Sequence, residues 1–200
     1  TATSGVAGSI SLQAGSATAN QGGDIVVQAG KSTAATGGSV IIASGAGQTT
    51  SSGKLSVMTA SAGQEGQSGN INIKTGTAST GSSGAITLSS GASSAGVGGS
   101  ITMSVGTGQS GIGGSINILA GASKQNSGGN VTVRSGGSTE DGSGSINILS
   151  SNAGNEGASG NITMSTGSAN LASSGNLALS TGESTEGSGG DISISVGKSA

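Results

Sequence analysis

Glu140, Asp141 and Glu156 are the densest set of hard oxygen donors in a chain that holds only eight carboxylates. They fall at corresponding positions of two successive sequence repeats. If such positions stacked about 5 Å apart, as neighbouring strands do, the three acids could share a Ca²⁺, which takes six to eight oxygen ligands. Glu183 and Glu186 form a second, smaller acidic pair. Solvated loop charge that discourages edge-to-edge sticking is the competing account of both groups. The glycine-rich nonapeptide of calcium-binding repeats does not occur. Paired-carboxylate hydrolysis would need two acids held across a cleft, and a chain without aromatic side chains offers no platform for a sugar ring.

Three other patterns touch on chemistry. Gly106-Thr-Gly-Gln-Ser-Gly111 has the spacing of a dinucleotide fingerprint. That fingerprint works only where a helix opens after the glycines, so that amides and helix dipole meet a pyrophosphate. Here Gly114-Ser-Ile-Asn-Ile, a strand-like segment, follows at once. Asn130-Val-Thr and Asn161-Ile-Thr are N-glycosylation sequons, which makes Asn130 and Asn161 candidate attachment points. Finally, outward positions carry Thr87, Thr102, Thr132 and Thr163, but also Val26, Ile41 and Ala178, so no regular two-rank threonine array for ice emerges.

Composition narrows the classes further. The 200 residues include 43 glycines and 42 serines, and no Phe, Trp, Tyr, His, Cys or Pro. Aromatics supply the largest buried areas per residue, so a globular core is out of reach. Absence of His removes the usual general base near neutral pH, and absence of Cys removes disulfides, thiolate catalysis and the common zinc sites. Six basic against eight acidic residues give a net charge of -2, which leaves nothing to neutralise phosphates. No run of about 18 apolar residues exists to span a membrane. These observations argue for a protein that is not an enzyme and that needs no cofactor, nucleic acid or membrane span.

Gly/Ser-rich chains are commonly flexible, but this one is periodic. A Gly, a small residue, an aliphatic, a spacer and a second aliphatic recur from Gly8-Ser-Ile-Ser-Leu to Gly190-Asp-Ile-Ser-Ile. The unit is a 15-residue one, as from Gly8 to Gly23 and from Gly23 to Gly38, except that Gly53 to Gly69 and Gly144 to Gly160 are one position longer. Aliphatic, spacer, aliphatic is the period-2 signature of a strand. In the repeat that starts at Gly114, Ile116, Ile118 and Ala120 share one side, and Ser115, Asn117 and Leu119 the other. A second Gly usually follows seven residues on, as at Gly30, Gly76, Gly121 and Gly182, where a corner would call for unusual backbone angles. Two residues past that corner stands always Gly, Ala or Ser, for example Ser32, Gly47, Ser93, Ser138 and Ser184, as expected of an inner wall without room.

These features predict an all-β chain over residues 1–200: a parallel β-solenoid of about 13 coils of 15–16 residues with a thin, flattened cross-section. Two large aliphatics per repeat cannot offset the entropy of ordering the whole repeat, so stability must come from neighbours. Residues 62–71 and 153–162 are near-copies 91 residues apart, which marks a six-coil super-repeat. Neither end carries an atypical capping repeat, so the segment is expected to belong to a longer array or to join end to end.

The unit (Gly/Ser)-Gly-(Ser/Asn/Asp)-Ile-(Thr/Asn/Ser)-(Ile/Leu/Met)-x-(Ser/Thr)-Gly resembles the Gly/Ser-rich β-solenoid repeats of long, repetitive cell-surface and extracellular proteins of microalgae and bacteria. The resemblance covers essentially all 200 residues. It implies a secreted or surface-bound structural role, filamentous or adhesive, and in some cases glycosylated. The expected function is therefore stiffness, spacing, coating or adhesion, with self-association end to end or laterally. A binding module that displays a repetitive polar face to ice or polysaccharide is the alternative, with glycans or a surface as partner.

Overall fold

The computed structural model describes Gly5 and residues 7–198, in two units, Thr1–Thr102 and Met103–Ala200. The same local plan recurs in each. Aliphatic segments such as 23–30 and 38–45 in the first unit, and 114–121 and 129–136 in the second, alternate with loops of seven residues. Each ordinary loop carries a bend or turn near its middle, as at residues 33–35 and 124–126.

Five of the loops close through glycine. The Gly23 amide donates to the Gly15 carbonyl at 2.9 Å, Gly38 to Gly30 at 2.9 Å, and Gly53 to Gly45 at 2.9 Å. In the second unit Gly129 donates to Gly121 and Gly144 to Gly136, both at 2.9 Å. This is the closure of a small Ω-type loop, whose ends meet while its body stands in solvent. Glycine serves here through close approach. A Cβ on Gly38 would lie 3.3 Å from the Gly30 nitrogen and 3.4 Å from the Ala29 Cβ. Across the described residues only Gly5 has a left-handed backbone, with φ of 96°. The corner glycines therefore do not supply the unusual backbone angles expected from their spacing.

The two longer repeats take their extra residue into the loop. Residues 61–68 and 152–159 make eight-residue loops, each with a turn in which Gly66 donates to Gly63, and Gly157 to Gly154, at 3.4 Å. The Gly that begins the next segment still lies against a side chain near the end of the previous one. A Cβ on Gly69 would meet the Thr59 methyl at 3.5 Å, just as one on Gly84 would meet the Thr75 methyl at 3.5 Å.

The expected β-solenoid is overturned. No helix and no β-strand occurs among the described residues. Their backbone–backbone hydrogen bonds join positions three or eight residues apart, and none links one repeat to the corresponding position of the next. Among the described residues there is accordingly no coil-on-coil ladder and no inner wall. The physical reason lies in the closure itself. It brings the end of one segment against the start of the next at a single residue, so adjacent segments do not lie side by side along their lengths. An alternating apolar pattern reports that one face of a segment wants cover. It does not specify that the cover is the next repeat of the same chain.

Burial agrees. No described residue is buried, and only Ala14, Ala29 and Ser135 reach an intermediate level. Those three sit directly under the loop closures: a Cβ on Gly23 would lie 3.4 Å from Ala14 Cβ, and one on Gly144 would lie 3.5 Å from Ser135 Cβ. The chain exposes 20109 Å². A folded protein of this mass exposes about 8,000 Å² and an unfolded one about 26,000 Å².

Candidate functional site

The acids considered for Ca²⁺ are placed by two different loops. Glu140 and Asp141 lie in the loop that follows Gly136, and Glu156 in the eight-residue loop of the next repeat. The first loop is organised by Ser138, whose Oγ accepts from the Asp141 amide at 2.9 Å and from the Glu140 amide at 3.3 Å. The Asp141 carboxylate turns back on its own chain and accepts from the Gly142 amide at 2.7 Å. No group of three potential metal ligands comes together among the described residues, so Glu140, Asp141 and Glu156 remain separate loop charges. Calorimetric titration of the chain with CaCl₂ should accordingly give no saturable heat below millimolar metal, where sites with several convergent carboxylates are filled. A one-to-one isotherm in the micromolar range would show the acids converging after all.

The Ser138 arrangement is general. Ser32 accepts from the Ala35 amide at 2.9 Å, Ser93 from Gly96 at 2.9 Å, Ser123 from Asn126 at 3.0 Å, and Ser184 from Gly187 at 2.9 Å. These are the small residues two positions past the corner, expected above to line an inner wall. They are exposed, and they work as Ser turns that start these five loops. Where Gly47 takes the position, room is the reason: a Cβ would lie 2.5 Å from the Ser51 carbonyl oxygen and 2.6 Å from that of Thr50. A serine two residues beyond a glycine, followed by polar residues, carries that signal in the sequence. The signal is ambiguous there because small size also fits a crowded interior. Ser138→Ala should loosen its loop by about 0.5–1 kcal/mol, the usual net value of such a bond. Faster exchange of the Asp141 amide, with the Gly144 amide unaffected, is the expected readout.

The dinucleotide-like Gly106–Gly111 run forms another such loop, with its bend at residues 109–111 and no helix after it. Without a helix N-terminus it lacks the converging amides that hold a pyrophosphate. Asn130 and Asn161 are both exposed, each immediately after the Gly that begins a segment. No pocket is present among the described residues.

What recurs at every repeat is an apolar pair on one side of the segment. Ile116 is 51% exposed and Ile118 70%, whereas Leu119 on the opposite side is 83% exposed. The corresponding pairs Ile71 and Ile73, or Ile146 and Ile148, show the same gradation. In these repeats the alternation inferred from the sequence survives as a difference in exposure, whereas Val57 at 73% and Met58 at 75% scarcely differ, and no described residue is buried. Comparison with known protein families, with curated proteins and with solved structures finds no match. No helix is long and apolar enough to cross a membrane among the described residues.

Proposed function

We propose that this chain is a structural module of an extracellular or cell-surface filament or coat, and that its work is spacing, covering and adhesion. The observation that carries this reading is the presentation of one aliphatic pair by every repeat, on a chain whose described residues enclose no pocket. A catalyst needs a few groups held together in a fixed geometry. This chain instead offers many equivalent contacts of the same chemistry, which is what a scaffold subunit requires. The scarcity of charge and the Ser-rich loops supply a neutral, hydrated exterior.

Immunogold labelling of thin-sectioned cells with an antibody against residues 1–200 tests the proposal. Label on the outer surface or on shed material is expected, and label confined to the cell interior would overturn it. A surface role also predicts that the exposed sequons are used in a eukaryotic secretory host. Mass spectrometry should then show two glycan additions, one lost in Asn130→Gln and the other in Asn161→Gln, and an unmodified mass would show that both are passed over.

A further inference from the structure

The aliphatic face described above is uncovered along both units, and its sheer extent limits what can cover it. Against the roughly 8,000 Å² of a folded chain of this mass, the 20109 Å² observed leaves a shortfall of about 12,000 Å². A standard interface covers only about 800 Å² per partner, so one local contact cannot make up the difference. Cover is needed at the repeats of each unit. It must also follow the 15-residue period, lengthened by one position at the same two places, or the aliphatic pairs fall out of step with it. With 14 charged residues in 200 and a net charge of -2, electrostatics select no oppositely charged partner.

We propose that the cover is a second copy of this chain, lying parallel and at zero offset, so that each aliphatic pair packs on its counterpart. This rests on the structural reading above and gives it a partner. The register follows from the loops. At zero offset the eight-residue loops 61–68 and 152–159 both meet their like. A slip of one repeat sets each against a seven-residue loop. A slip of 91 residues matches one long loop and leaves about half of each chain uncovered. The two longer repeats are therefore register keys, and the assembly is obligate, because no described residue is buried in the chain alone.

The chain has no cysteine, so single labels can be placed without background. The experiment combines sedimentation of the full 200-residue chain over a concentration series with spin labels at Asn72→Cys, Asn117→Cys and Thr163→Cys. The expected result is a particle of twice 18.1 kDa or a higher whole multiple, with dipolar broadening between same-site labels at all three positions. Parallel neighbours in register lie about 5–10 Å apart, well within range of that broadening. An 18.1 kDa particle at every concentration would overturn the proposal. So would broadening at one site only, the mark of antiparallel copies. Broadening only when Asn72→Cys and Thr163→Cys copies are mixed would replace zero offset by the 91-residue stagger and overturn the register. The surface-labelling result stands apart from all of these: a monomer found on the cell surface sinks self-association and keeps the structural role.

Discussion

Gly47→Ala should open the loop between Gly45 and Gly53, at a cost of about 1–3 kcal/mol, the range for forcing a methyl group into filled space. The obstruction is backbone: the new Cβ would lie 2.5 Å from the Ser51 carbonyl oxygen and 2.6 Å from that of Thr50. Neither oxygen can retreat without unwinding the bend that sets up the bond from the Gly53 amide to the Gly45 carbonyl at 2.9 Å. Gly53 amide exchange should therefore quicken by about 5-fold to 100-fold, with new proteolytic cleavage between residues 47 and 52, since about 1.4 kcal/mol corresponds to tenfold. Gly45→Ala is the control, because nothing lies within 4 Å of its Cβ position. Gly114→Ala separates side-chain from backbone obstruction. Its Cβ would come 2.6 Å from a Val105 methyl, which can rotate away, so a smaller effect is expected there. Equal effects at Gly47 and Gly45 would show that glycine is needed in these loops for flexibility alone.

The second large effect belongs to the aliphatic pairs. Replacing Ile116, Ile118, Ile146 and Ile148 together with Asn should dissociate the assembly and leave the loops of the single chain intact. Each of these side chains is about half or more exposed in the chain alone, so little is lost there. Covering the remainder is worth about 1 kcal/mol per residue, so four substitutions remove about 4 kcal/mol per chain. Both copies carry the substitutions, so two chains lose about 8 kcal/mol, roughly a five-hundred-thousandfold weaker association at about 1.4 kcal/mol per factor of ten. Leu119→Asn with Leu149→Asn removes hydrophobicity from the opposite side, where the residues are 83% and 81% exposed, and should leave association unchanged. Sedimentation equilibrium of the two variants decides between a specific face and general stickiness. Equal loss in both would mean that no particular face is used.

The contrast between these two experiments also marks how much is legible in the chain. The regular spacing of glycines is plain in it, and returns as closures such as Gly23 to Gly15 and Gly38 to Gly30. The pairing of Ile116 with Ile118 against Leu119 is equally plain, and it returns as graded exposure. The purpose of Ser32, Ser123 and Ser138 is not legible, because smallness is shared by residues that fill a tight interior and residues that begin a loop. The acids Glu140, Asp141 and Glu156 align when the repeats are counted off, yet equal sequence spacing becomes nearness only if the repeats stack.

By itself the sequence determined the period, the glycine positions, the single aliphatic face and the exclusion of a globular core, since each follows from side-chain size and local chain geometry. Only the tertiary structure decided what the repeats do with one another. Among the described residues it showed that five pairs of successive segments meet end to start at a glycine and that none lie flank to flank in a solenoid, leaving the aliphatic pairs uncovered. Alternation sets which way a side chain points within its own segment. Which backbone comes to lie beside that segment depends on contacts distant in the chain, and among the described residues the single chain does not make them.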